Sequence, residues 1–255
     1  MTRTIAVANQ KGGVAKTTTV ASVGMALGEL GHRVLLVDLD PQACLTFSLG
    51  VDPEGLELSL HDVFRQRVSA ALALRTVGDG VDLLPSTIDL TGSEVALHDQ
   101  PGREYVLRKA LDGFTDGYDF VLIDCSPSLG VLTVNALTAA DEVLIPLQCE
   151  TLSHRGVGQL LDTIDDVRRL TNPDLVVLGV LPTLFDGRTM HARDVLADVS
   201  ARFGVTVLDP PISRSIRFAE APASGQSILR TASNSPGAQA YRVFARRLAG
   251  HEVAA

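Results

Sequence analysis

The sequence predicts a three-layer α/β protein: a doubly wound, mostly parallel sheet with helices on both faces. Three observations carry this expectation. Short apolar runs alternate with helix-period segments along the chain, the mark of repeated βαβ crossovers. Several runs are apolar at every position, as in Val34-Leu35-Leu36-Val37 and Val121-Leu122-Ile123, which suits strands buried on both faces. Hydrophobic residues make up 45% of the 255 residues, aromatics only 4%, and Trp is absent, so the core is built from Val, Leu, Ala and Ile. That length suits one large domain, expected over 1–255.

Strands are expected at Ile5–Asn9, Arg33–Asp38, Val81–Pro85, Phe120–Asp124, Glu142–Leu147, Val176–Pro182 and Val205–Leu208. A helix over Thr17–Leu30 stops at Gly31. Val157, Leu160, Leu161, Ile164 and Val167 recur at helical spacing, with Asp162, Asp165, Asp166, Arg168 and Arg169 on the other face, and Asn172-Pro173 closes that helix. A last helix, roughly Ala238–Leu248, carries Tyr241, Phe244, Ala245 and Leu248 on one side. Residues 50–105 are the least regular stretch, with a helix expected around Leu60–Leu74 and a surface connection near Asp89–Arg103.

The formal net charge is -8, so any DNA binding must come from a local basic patch. Cys44, Cys125 and Cys149 lack metal-ligand spacing and read as reduced thiols of a cytoplasmic protein, and the histidines form no ligand pair. No targeting segment or membrane-length apolar run is seen.

The decisive segment is Asn9-Gln10-Lys11-Gly12-Gly13-Val14-Ala15-Lys16-Thr17-Thr18-Thr19. It follows an apolar strand and opens a helix, the setting of a phosphate-binding loop. Glycines let the backbone turn its N–H groups onto phosphate oxygens, and the helix N-terminus adds positive partial charge. Lys16 would reach the β- and γ-phosphates of ATP, or the β-phosphate of ADP, Thr17 would offer its hydroxyl to Mg²⁺, and Thr18 would contact the α-phosphate. Ala15 fits unstrained if its φ is negative. A positive φ there would cost about 1–2 kcal/mol. Asp38 and Asp40 stand two apart at a strand end and should point roughly the same way, beside the phosphates and metal. Phe120–Pro127, FVLIDCSP, ends a strand on Asp124, which should hold Mg²⁺ through water.

K-G-G-V-A-K-T-T resembles the deviant Walker A loop of the ParA/MinD family of P-loop NTPases, and D-x-D-P-Q at Asp38–Gln42 resembles its second motif. The segments 135–141, 145–150 and 217–222 also resemble chromosomal ParA/Soj proteins. The resemblance is weakest over 51–118. It implies a slow, Mg²⁺-dependent ATP hydrolase that dimerises with ATP. Lys11 would reach the partner's nucleotide, and Asp40 would orient the attacking water, so Lys11, Lys16 and Asp40 are the catalytic candidates and Thr17, Asp40 and Asp124 the metal candidates. The nucleotide-binding set is Lys11, Gly12, Gly13, Val14, Ala15, Lys16, Thr17 and Thr18, with Pro182, Thr183, Pro211 and Ile212 near the adenine. Arg188 and Arg217 match positions that touch DNA without sequence preference, and Arg193, Arg214 and Arg230 lie near them in sequence. The implied partners are a second copy of the chain, non-specific DNA of the nucleoid and a ParB/Spo0J-like adaptor.

Four other readings share parts of this pattern. A MinD-type membrane-positioning ATPase needs an amphipathic C-terminal helix. Arg242, Arg246 and Arg247 oppose a short apolar stripe, but the tail 250–255 extends no such helix, so no stable membrane association is expected. A nitrogenase-iron-protein relative needs cysteines bridging the dimer axis. A scaffold would bind ATP without turnover, and a positioner of non-DNA cargo would use the same switch.

Overall fold

The computed structural model describes residues 2–150 and 153–250. The elements, in chain order, are β1 (Arg3–Val7), α1 (Lys16–Glu29), β2 (Val34–Leu39), α2 (Cys44–Ser48), α3 (Leu60–Phe64), α4 (Ala70–Ala73), β3 (Arg75–Gly78), β4 (Val81–Leu84), α5 (Leu90–Leu97) and α6 (Val106–Leu111). They continue with β5 (Phe120–Cys125), α7 (Val131–Ala139), β6 (Glu142–Gln148), α8 (Ser153–Leu170), β7 (Val176–Thr183), α9 (Met190–Phe203), α10 (Arg217–Glu220), α11 (Ile228–Thr231) and α12 (Pro236–Leu248). The strands form one sheet in the order β3-β4-β2-β5-β1-β6-β7, parallel except for the antiparallel edge strand β3.

Alternation along the strands builds two cores. Ile5, Val7, Val34, Leu36 and Leu122 face one way, onto α1, α11 and α12 through Val20, Leu27, Leu229, Tyr241 and Phe244. Ala6, Leu35, Val37, Val121 and Ile123 face the other way, onto α3, α7 and α8 through Leu60, Leu132, Leu160 and Ile164. Every residue of β2 and β5 is buried, which is why those strands read as unbroken apolar runs. The doubly wound three-layer class expected from the sequence is the one observed.

Several local expectations change. Val205–Leu208 makes one parallel bridge, Val180 to Val207, rather than a strand. Pro210, two residues past Leu208 where the next ladder N–H would fall, has none to give. The helix expected around Leu60–Leu74 splits into α3 and α4, with Gln66 between them at φ 55. The connection expected near Asp89–Arg103 contains α5, whose buried residues are Leu90, Ser93 and Leu97. The polar Ser93 hides that stripe from a hydrophobicity scan. Expected Thr17–Leu30 begins one residue earlier, at Lys16.

The C-terminal helix α12 lies on α1. Tyr241, Phe244, Ala245 and Leu248 are buried there, and Arg242 grips Glu29 of α1 through Nε at 2.6 Å and Nη2 at 2.9 Å. The apolar stripe that could have read as a membrane face is therefore covered by protein. Residues 251–255, part of that reading, lie outside the described residues. Among the described residues no helix is long and apolar enough to cross a membrane.

Candidate nucleotide-binding site

The loop between β1 and α1 sits beyond the carboxyl ends of the parallel strands, where open α/β sheets bind ligands. Its base is fixed from three directions. The Asn9 side chain donates to the Pro146 carbonyl at 2.7 Å and accepts from the Lys11 N–H at 3.0 Å. The Thr183 hydroxyl, at the end of β7, donates to the Val14 carbonyl at 2.9 Å. Val14 itself is 1% exposed and anchors the loop by burial.

Ala15 stands at the N-cap of α1 with φ 65, so the unstrained case fails and the strained one holds. The first turn of α1 has no side-chain cap. By contrast, Ser235 caps α12 and Thr189 caps α9 through their hydroxyls. The orphan N–H groups of α1 therefore open onto a cleft with no residue of the helix's own to satisfy them, the condition for an anion.

That cleft measures about 780 Å³. Gly12, Gly13, Ala15, Lys16, Thr17, Thr18 and Asp40 line it, so most of the sequence-expected phosphate residues meet there. Lys16 is 7% exposed, and its Nζ donates to the Lys11 carbonyl at 3.1 Å. Burial lowers its pKa, against the pull of Asp124, Cys125 and Asp40. Pro182, Thr183, Pro211 and Ile212 do not line the cleft. Pro182 and Thr183 are buried behind the loop, and the Ile212 N–H donates to the Pro182 carbonyl at 2.7 Å. Lys11 lies outside the cleft wall and its Nζ ion-pairs with Glu150.

The two aspartates after β2 part company. Asp38 is fully buried and accepts from the Thr46 N–H at 2.8 Å and the Thr46 hydroxyl at 2.7 Å. Asp40 turns to the cleft, and its Oδ1 accepts from the Gln42 N–H at 2.9 Å. They were expected to point the same way. Asp40 lies past the strand end at Leu39, so two-residue alternation no longer governs it.

Asp124, one residue before the end of β5, has no exposed surface, and among the described residues neither carboxylate oxygen has a hydrogen-bond partner of ordinary geometry, although the Thr17 hydroxyl is close enough to act on its pKa. Burial and then the charge of Asp38 push its pKa well up, opposed by the Thr17 hydroxyl and Lys16. A buried, unpaired carboxylate is costly and calls for a cation. Mg²⁺ fits: it is satisfied by one or two protein oxygens plus phosphates and water. Among the described residues no cluster of three or more His, Cys, Asp or Glu could hold a metal without such help. Cys125, next in line, is buried and its thiol pKa is pushed up, which leaves it a packed group.

Sequence reasoning missed the apolar rim. Phe47, Pro127, Leu184, Phe218 and Pro222 also line the cleft. They come from four separate segments, and only the fold assembles them. Arg188 and Arg217 are exposed and paired with carboxylates, Arg188 to Asp186 and Arg217 to Glu220, each at 2.9 Å. Arg217 opens α10, which borders the cleft, whereas Arg188 borders a separate hollow with Glu150 and Arg214. Asn135 proves structural: it accepts from the Leu107 N–H at 3.0 Å and donates to the Arg103 and Val131 carbonyls, tying α7 to α6.

Residues 2–177 match a family described as an AAA domain. The chain is 43% identical over 253 residues to the chromosome partitioning protein ParA of Caulobacter vibrioides, covering 98% of this chain and 95% of that one. It is 46% identical over 246 residues to the chromosome-partitioning ATPase Soj of Thermus thermophilus, covering 96% and 95%. Its structure is similar to that of a Mycobacterium smegmatis protein named cobyrinic acid a,c-diamide synthase, solved with bound ADP and magnesium. The TM-score is 0.87 and the identity 57%, over 98% of this chain and 94% of that one.

Proposed function

The chain belongs to the ParA/Soj family of P-loop ATPases, and from that premise we propose that it is an ATP-driven dimer switch that positions DNA. The observation that carries the reading is the orphaned Asp124 carboxylate beside an uncapped helix N-terminus and a buried lysine. These groups suit the phosphates of a magnesium-bound nucleotide.

In this reading the open amides of α1 and the Lys16 ammonium receive the phosphates, with Thr17 and Asp124 holding Mg²⁺. Bound there, the metal would neutralise charge on the phosphate oxygens. Asp40 orients water for attack on the terminal phosphate, and Lys11 supplies the last positive charge from the opposite subunit. Hydrolysis is slow because the site is complete only when two chains meet. The whole chain acts as one domain, in the cytoplasm and on the nucleoid. The paired dimer holds DNA through Arg188 and Arg217, which exchange Asp186 and Glu220 for backbone phosphates. A ParB/Spo0J-like adaptor speeds turnover and release.

Light scattering tests the core of this. The full chain should run as a dimer with ATP and Mg²⁺ and as a monomer with ADP, and Lys11→Ala should stay monomeric with either. DNA should co-sediment only with the ATP form and lose affinity steeply with salt. A Lys11→Ala variant that dimerises like the parent ends the proposal.

The likeness to the M. smegmatis protein favours a second reading, ATP-dependent amide synthesis. It predicts ATP consumption that depends on a carboxylate acceptor and an ammonia donor, and that is indifferent to self-association or DNA.

A further inference from the structure

The Lys11 side chain does not line the cleft. Its ammonium hydrogen-bonds the Glu150 carboxylate of the same chain. Both residues of this contact are anchored at their own backbone atoms. The Lys11 N–H donates to Asn9 Oδ1 at 3.0 Å, and the Lys11 carbonyl accepts from Lys16 Nζ at 3.1 Å. The Glu150 N–H donates to Ser153 Oγ at 3.1 Å and to the Gln148 carbonyl at 2.9 Å, just beyond β6. The Lys11 hydrogen bond holds the Glu150 carboxyl below its usual range, with Arg214 adding a weaker pull.

We propose that Glu150 parks Lys11 within its own subunit and so sets the threshold at which two ATP-loaded chains pair. This inference rests on the proposed role of Lys11 across the dimer. The ammonium can satisfy Glu150 at home or the terminal phosphate of the opposite nucleotide, and it must leave one to reach the other. Both side chains of the pair are partly exposed, 38% for Lys11 and 52% for Glu150, so the hold is weak and reversible. Glu150 is not stranded when Lys11 leaves, because its carboxylate is half-exposed and Arg214 lines the same hollow. A weak restraint of this kind biases the equilibrium without blocking it, since a contact shifts a two-state balance only by its difference between the states.

The test is the dimer dissociation constant of the full chain with ATPγS and Mg²⁺, by sedimentation equilibrium. Glu150→Gln should pair about three- to tenfold more tightly, since two exposed ion pairs no longer have to open per dimer. The gap from the parent should narrow as salt rises from about 50 to about 500 mM, because screening weakens the parent's internal pair. In a Lys11→Ala background, Glu150→Gln should change nothing. Equal or weaker pairing by Glu150→Gln overturns this inference alone. Restored pairing in Lys11→Ala/Glu150→Gln also overturns it, because the Glu150 charge would then oppose pairing directly. Parental pairing by Lys11→Ala overturns the proposed function as well.

Discussion

Gly50 and Gly225 meet backbone to backbone: a methyl group on Gly50 would lie 2.9 Å from the Gly225 carbonyl oxygen, and one on Gly225 would lie 2.8 Å from Gly50 Cα. Both have positive φ, 82 and 63. Gly50 follows α2, which gives Phe47 and Ser48 to the cleft, and Gly225 follows the turn that gives Pro222. The contact thus fixes the distance between two walls of the nucleotide site. Gly50→Ala and Gly225→Ala should each destabilise the protein by about 2–4 kcal/mol, from left-handed strain plus a backbone clash. Urea unfolding should show a lower midpoint at unchanged slope, and nucleotide affinity should weaken in step.

The reverse substitution is expected to help at Ala15. Its φ of 65 places a Cβ in a region that suits glycine. Ala15→Gly should raise stability by about 0.5–1 kcal/mol, the relieved strain exceeding the added freedom of the unfolded chain. Nucleotide affinity measured by calorimetry should stay within about threefold, since the amides keep their direction. A loss of stability would mean that the methyl group packs usefully.

The phosphate loop and Asp124 were legible in the sequence because their chemistry dictates residue types. Tight turning of backbone onto phosphate requires glycines followed by lysine and hydroxyl, and a carboxylate at a strand end is conspicuous after an apolar run. β1, β2 and β5 were legible because both their faces are buried. β3 was not: Arg75–Gly78 is a short edge strand, partly exposed and irregular in register between Thr76 and Gly78, so it has no apolar run. The divergence of Asp38 and Asp40 depends on the chain leaving the strand between them, and the Phe47, Leu184 and Phe218 rim depends on closure between distant segments. Neither leaves a local pattern.

Thr19 and Tyr241 join hydroxyls at 3.0 Å, both buried, between α1 and α12. Tyr241→Phe leaves the Thr19 hydroxyl without that partner and should cost about 1–2 kcal/mol by urea unfolding. With Arg242 also bound to Glu29, α12 has no free apolar face to offer a bilayer. The parent chain with ATP should therefore stay in the supernatant when vesicles containing anionic lipid are pelleted. ATP-dependent pelleting would show that α12 leaves α1 and would favour a membrane-positioning role.

Asp38 and Asp40 should separate cleanly by variant. Asp40→Ala should lower steady-state turnover by about a hundredfold or more with nucleotide affinity nearly unchanged, as expected for a group that acts on water. Thr46→Val removes the hydroxyl that Asp38 accepts and that in turn accepts from the Ser86 N–H at 3.0 Å. It should cost about 2–3 kcal/mol of stability and change turnover far less. Asp38 also carries a pH dependence that stability measurements can read. Burial raises the Asp38 pKa to about 6, against the hydrogen bonds from Thr46, whereas an unfolded aspartate titrates near its ordinary value of about 4. Between those values the folded chain binds the proton more tightly, so the contribution of Asp38 to stability is full below the lower value and is lost as pH rises through the higher one. Asp38→Asn deletes that dependence. In EDTA, the parent's unfolding free energy should fall more steeply than that of Asp38→Asn as pH climbs from about 4 to about 6. Parallel curves would show that Asp38 is ionised throughout and that Thr46 outweighs its burial.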